Sequence, residues 1–223
     1  MIMNDVSTPE SPVQPYSAKE EIANYLTHGF GIALSLFGFG ALLTLAIVRG
    51  DAWSIASASI YGLALILLYT SSTLYHAFRN PTIKRKLRIL DHCAIFILIA
   101  GTYTPFMLIS LRATLWGSIL FVTIWLCAAV GIVLKLFFTG RYELFSTIMY
   151  VAMGWLVIIA IKPMLESVPL PGLWWLVAGG ITYSVGAAFY CWERLPFHHS
   201  LWHVFVLGGS ICHYIAICFY VVQ

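Results

Sequence analysis

Seven long apolar segments follow one another along the chain, at about 26–48, 53–76, 91–111, 114–137, 143–165, 173–192 and 199–222. Each is long enough to form the helix of about 20 residues that a hydrocarbon core of ~30 Å requires. Short polar or turn-forming stretches separate them: Arg49 to Asp51, Arg79 to Arg88, Arg112, Thr139 to Arg141, Ser167 to Gly172 and Glu193 to Pro196. The pattern predicts an all-α integral membrane protein, a bundle of seven transmembrane helices forming one domain over 20–223. Residues 1–19 contain Pro9, Pro12 and Pro15 and no apolar run. They read as a disordered, water-exposed cytoplasmic tail, not as a signal peptide.

Composition closes off other classes. The 223 residues are 61% hydrophobic and only 9% charged, against roughly 25% charged in an ordinary soluble domain. Mean hydropathy is +0.89. A soluble enzyme and a secreted disulfide scaffold are both excluded, because a water-facing surface cannot be built from so few polar groups. Cys93, Cys127, Cys191, Cys212 and Cys218 lie in apolar runs without C-x-x-C spacing and read as small packing residues. No basic stretch is interleaved with aromatics, so nucleic acid is not an expected partner. No soluble partner is indicated; membrane lipids are the expected surroundings and ligands. Nine Lys and Arg fall on the side of the N-terminus and three on the other. This places the N-terminus in the cytoplasm and the C-terminus outside. The basic run 84–88 either lies against anionic headgroups or is a solvated loop that fixes topology.

Ionisable side chains within spans are costly and tend to mark sites. Glu21, Asn24 and His28 share one face at the start of the first span, and Ser72 and His76 close the second. Asp91 and His92 open the third, while His199 and His203 open the seventh. In the predicted topology all of them reach the same cytoplasmic end, although they come from four separate stretches. Two histidines one helical turn apart can converge on one ion, and His76 can supply a third nitrogen. Three imidazoles suit Zn²⁺ and leave a position for water, the pattern of a catalytic zinc. Asp91 is then placed to orient that water or take its proton, and Ser72 to donate to a developing oxyanion. Blander readings stay open. Asp91 pairs with Arg88 or His92, Glu21–Asn24–His28 form only a helix-start network, and His92 and His198 sit among headgroups. For His213, deeper in the seventh span, packing or hydrogen bonding is favoured over metal ligation.

Several separated motifs carry a family resemblance. They are Glu21, Asn24, Thr27 and His28; Ser72 to His76; Leu90-Asp91-His92 running on to Gly101, Thr104, Pro105 and Phe106; Gly179, Gly180, Tyr183 and Gly186 with Phe189-Tyr190; and His199 to His203 with His213. In that order they resemble the hemolysin III branch of the progestin and adipoQ receptor family, and more distantly the adiponectin receptors and alkaline ceramidases. The resemblance implies a seven-helix bundle with its N-terminus inside. It also implies zinc on His76, His199 and His203, with Asp91 and Ser72 beside the metal. Eukaryotic members are proposed to hydrolyse lipid amides. The bacterial branch is named for haemolysis and connected with membrane lipid and energy homeostasis. The long N-terminal extension of the eukaryotic receptors has no counterpart here, which argues against hormone binding. Three readings follow: a zinc-dependent hydrolase of lipid amide or ester bonds in the plasma (inner) membrane of a bacterium, a non-enzymatic membrane-state regulator with structural zinc, and a pore-forming haemolysin. The third lacks an amphipathic hairpin or a continuous polar stripe in the sequence.

Overall fold

The structure is a computed structural model that describes residues 16–222. Residues 1–15 of the predicted tail lie outside the described residues; Tyr16 and Ser17 are described, and the first helix begins at Ala18. Among the described residues there are eight α-helices and no strand. They are α1 (Ala18–Arg49), α2 (Ala52–Ala77), α3 (Pro81–Pro105), α4 (Leu115–Phe138), α5 (Glu143–Gly154), α6 (Ile161–Ser167), α7 (Leu170–Tyr190) and α8 (His198–Tyr220). They make up seven helical segments long and apolar enough to cross a membrane, the fifth running from Glu143 to Ser167 through α5 and α6.

Two helices start earlier than the hydrophobic pattern places them, and local chemistry explains both. Ser17 and Glu20 form a capping box that starts α1 eight residues before the apolar run: Ser17 N–H donates to Glu20 Oε2 at 2.9 Å, and Glu20 N–H donates to Ser17 Oγ at 3.3 Å. Asn80 caps α3, its side chain accepting from the backbone of Thr82 and Ile83, with Pro81 in the first turn where its missing N–H costs nothing. The basic run 84–88 is therefore the first turns of a helix and not a loop. On the opposite end, Asp51 caps α2 and also accepts from Arg112 Nη1 at 2.7 Å, tying two turns together. Backbone N–H donors at Ser54 and the nearby Arg112 hold the Asp51 carboxyl below the usual carboxylate range.

The fifth span is broken where one continuous helix is expected. Pro163 has no N–H and its ring crowds the carbonyl four residues earlier, so an α-helix cannot run regularly through Ile159. The chain turns at Trp155 and passes through a 3₁₀ stretch, Leu156–Ala160, before α6. Tyr103 of α3 bridges the break: its hydroxyl donates to Gly154 O at 3.0 Å and accepts from Val157 N–H at 2.8 Å. Trp155 Nε1 donates to Ser184 Oγ of α7 at 3.0 Å. Pro105 likewise ends α3 in a π-helical turn, Phe106–Ser110.

Packing follows sequence order. α1 lies on α2, α2 on α3, α3 on α4 and α7 on α8, and α8 returns to α1, closing the bundle. α3 is the most enclosed span, with α5 bridging it to α7. Close approach depends on small residues, as between membrane helices generally; a Cβ on Gly101 would come within 2.8 Å of Ala64. Large apolar side chains such as Phe37, Leu115 and Trp174 point outward, as a lipid-facing surface requires.

Replacing Tyr103 by Phe leaves Gly154 O and Val157 N–H without their partner inside the membrane. A destabilisation of about 1–3 kcal/mol is expected, measured by thermal or denaturant unfolding in detergent. An unchanged midpoint would show that the break holds itself.

Candidate functional site

His76 ends α2, and His199 and His203 open α8, so three imidazoles meet at the end of the bundle where α1 begins. All three are buried, His203 completely. Their ring centroids form a near-equilateral triangle, 5.0 Å from His76 to His199, 5.1 Å from His76 to His203 and 4.6 Å from His199 to His203. One nitrogen from each lies within 4.8 Å of the others.

The Nδ1 atoms face outward and each has a partner. His76 Nδ1–H donates to Glu21 Oε2 at 2.6 Å, and Glu21 Oε1 accepts from Lys84 Nζ at 2.9 Å. Lys84 is itself fixed by the Tyr75 carbonyl at 2.9 Å and lies over the Tyr75 ring. His203 Nδ1–H donates to the Asn24 carbonyl at 3.2 Å, with Thr27 Oγ1 at 3.3 Å. Carboxylate and carbonyl oxygens only accept, so the protons of His76 and His203 sit on Nδ1 and the Nε2 lone pairs point inward. His199 Nδ1 bonds the Tyr16 hydroxyl at 3.0 Å, and burial raises that phenol, keeping it protonated.

The inward nitrogens are only partly provided for. His76 Nε2 and His199 Nε2 share a hydrogen bond at 3.2 Å, and His203 Nε2 is buried without a hydrogen-bond partner. An orphaned buried acceptor is costly in a membrane interior. A cation shared by all three Nε2 atoms resolves it, and outer hydrogen bonds that fix tautomer and ring direction are what histidine metal ligands carry. The three residues could hold a metal ion.

Asn24 and His28 brace this cluster from α1. Asn24 Oδ1 accepts from Ser200 Oγ, joining α1 to α8. The His28 ring stacks on His203, centroids 3.5 Å apart and nearly parallel, and meets Tyr69 edge-on. Glu20 Oε1 accepts from the Phe197 N–H at 3.1 Å, holding Phe197 at a φ of 57° just before α8. Such left-handed backbone at a non-glycine residue persists only where surrounding contacts enforce it.

Ser72 and Asp91 are buried beside the cluster, with Asp91 in electrostatic reach of His76 and Ser72 facing its carboxyl. Ser72 Oγ has no full hydrogen bond. Asp91 also lines a cavity of about 140 Å³ with His28 and His199 at this end and almost wholly apolar walls beyond, from α3, α5, α7 and α8. Arg88 and His92 turn instead to Glu143, which also takes Lys135 Nζ at 3.1 Å. His198 bonds the Tyr190 carbonyl, away from the cluster, and His213 lies deeper in the cavity wall. Tyr16 and Lys84 also belong to the site but do not stand out in the sequence, and Thr27 and Ser200 appear there only as parts of the family motifs. Tyr16 precedes the first apolar run, and Lys84 reads there as one topology charge among nine.

Glu21→Gln removes the charge behind His76 and keeps its shape. It is expected to weaken metal affinity about 10–100-fold, with His203→Ala abolishing binding, as followed by metal competition and mass spectrometry on folded protein. Equal affinity in Glu21→Gln would show that the carboxylate does not tune the ring.

Comparison with known proteins shows the family. The family model described as haemolysin-III related matches residues 16–214. The chain is 49% identical over 208 residues to the Hemolysin-3 homolog of Bacillus subtilis (strain 168), covering 93% of this chain and 97% of that protein. It is 49% identical over 203 residues to Hemolysin-3 of Bacillus cereus, covering 91% and 92%. It is 30% identical over 206 residues to the human Monocyte to macrophage differentiation factor, covering 89% and 83%. With seven apolar helices and this match over almost its whole length, the chain is a multi-pass membrane protein and belongs to the haemolysin-III-related family.

Proposed function

We infer that the protein is an intramembrane zinc-dependent hydrolase of acyl lipids, cleaving an amide or ester bond. The observation that carries this is the junction of the three-histidine cluster with the apolar cavity, with Asp91 at the meeting point. His76, His199 and His203 would hold the ion through Nε2. Zinc bound there supplies a Lewis acid that polarises a carbonyl and lowers the pKa of water. The excess of Lys and Arg on the side of the N-terminus sets the cluster at the cytoplasmic end of the bundle.

The remaining work falls to the chain itself. The apolar walls of α3, α5, α7 and α8 hold the acyl chain and exclude water from all but its head. Asp91 takes a proton from the attacking water and returns it to the departing nitrogen or oxygen. The water oxygen joins the acyl carbon as the C–N or C–O bond breaks, giving a fatty acid and an amine or alcohol. Ser72 Oγ–H, beside the Asp91 carboxyl and without a full hydrogen bond, donates to the carbonyl oxygen as charge builds there. Glu21, Asn24 and Tyr16 keep the imidazoles aimed while this occurs.

Asp91→Asn is expected to keep zinc and fold and to lose turnover by about 10²–10⁴-fold. Fatty-acid release from a ceramide and from a phosphatidylglycerol by reconstituted protein measures this. No release from either lipid by fully zinc-loaded wild type would overturn the hydrolase. The cluster would then serve as a staple between α1, α2 and α8 in a membrane-state regulator, and Asp91→Asn would be silent in the cell.

A further inference from the structure

A second polar feature lies well away from the cluster. His213 is ten residues beyond His203 on α8, a rise of ~15 Å. It is 7% exposed, and its ring forms part of the wall of the same cavity. His213 Nδ1 is buried without a hydrogen-bond partner. The ring is held in place by stacking on Tyr183, centroids 5.3 Å apart at 24°, and by the absence of a side chain at Gly179, where a Cβ would come within 2.7 Å of His213 Nε2.

The polar groups around it are committed elsewhere. The Tyr183 hydroxyl bonds Ser210 Oγ at 2.8 Å, and the Tyr69 hydroxyl donates to the same oxygen at 2.7 Å. The cavity walls around this point are apolar, among them Leu68, Leu98 and Val206. An intramembrane imidazole with an unmet nitrogen is expensive, and such residues usually serve a ligand or a path. Here the space beside the ring belongs to whatever fills the cavity.

We propose that His213 recognises a hydroxyl or keto group carried partway along an acyl chain whose head lies at the histidine cluster. The proposal rests on the reading of the cavity as an acyl-chain tunnel and names the class of chain it prefers. His213 gives up no water to form this hydrogen bond, so the bond offsets the desolvation of the chain's polar group and a chain bearing it outbinds an otherwise identical one. A purely hydrocarbon chain still fits the apolar walls but leaves His213 unpaired.

Ricinoleic and oleic acids test this, because they share chain length and double bond and differ by one hydroxyl past the middle of the chain. Binding to reconstituted zinc-loaded protein is read by displacement of a fluorescent fatty acid. Wild type is expected to bind ricinoleic acid about tenfold more tightly. His213→Phe, which keeps the ring's bulk, should bring ricinoleic acid down to the oleic level and leave oleic acid unchanged. His213→Gln, which keeps a hydrogen-bonding end, should retain part of the preference and serves if the Phe variant does not fold. Equal binding in wild type, or a preference that survives in His213→Phe, overturns the proposal. Failure of both acids to bind removes the acyl-chain tunnel as well. Oleic binding without a preference leaves the tunnel standing and removes only the role of His213.

Discussion

An imidazole has two nitrogens, and inside a bilayer neither can turn to water. At His76 and His203 that constraint is met on one side by acceptors that take only a proton, Glu21 and the Asn24 carbonyl. The proton position follows, then the ring direction, and with them the inward aim of Nε2. Tyr16 holds His199 at Nδ1 through a hydroxyl, which fixes the ring direction without fixing the proton. The rest of the site is built on these three outward bonds. Without them the rings could rotate or change tautomer, and three neutral histidines would form an ordinary packed cluster.

The polar start of α1 is explained by this demand. Glu20 binds the entrance of α8, Glu21 sits behind His76, Asn24 bridges to His203 and Ser200, and His28 lies flat on His203. Glu21, Asn24 and His28, spaced by three and four residues, thus form one helix face in contact with α2 and α8, with Glu20 beside it holding the entrance of α8. The face ends where the cavity begins. Below it the walls lose their polar character until His213, so head and chain of a bound lipid would meet different chemistry in one continuous space.

Much of this was legible in the sequence. The seven apolar runs gave the number of spans, because a lipid-facing helix must announce itself in composition. The convergence of Glu21, Asn24, His28, Ser72, His76, Asp91, His199 and His203 on one end was also readable, since odd spans and even spans face opposite ways. The early starts of α1 and α3 were less so, because apolar periodicity says nothing about a capped polar turn such as Ser17–Glu20 or Asn80–Ile83. The break in the fifth span had a visible cause in Pro163 but no visible remedy; Tyr103, sixty residues earlier, supplies it. Tyr16 and Lys84 were hidden for a different reason. Their roles are tertiary, and nothing beside them in the chain distinguishes them from an ordinary tail tyrosine or a topology lysine.

The histidine cluster draws on the first, second and last membrane helices. During synthesis α1 leaves the ribosome long before α8 exists, so Asn24 waits for Ser200 and His203, and His76 for His199, while Glu21 finds its partners on α2 and α3. The cluster can close only after Phe197 has reached Glu20 and α8 has swung against α1. A chain stopped anywhere before His199 would keep up to six apolar helices able to insert, yet would present a single imidazole where three are needed. Closure of the cluster is therefore the last event of assembly, and it marks a polypeptide finished through α8.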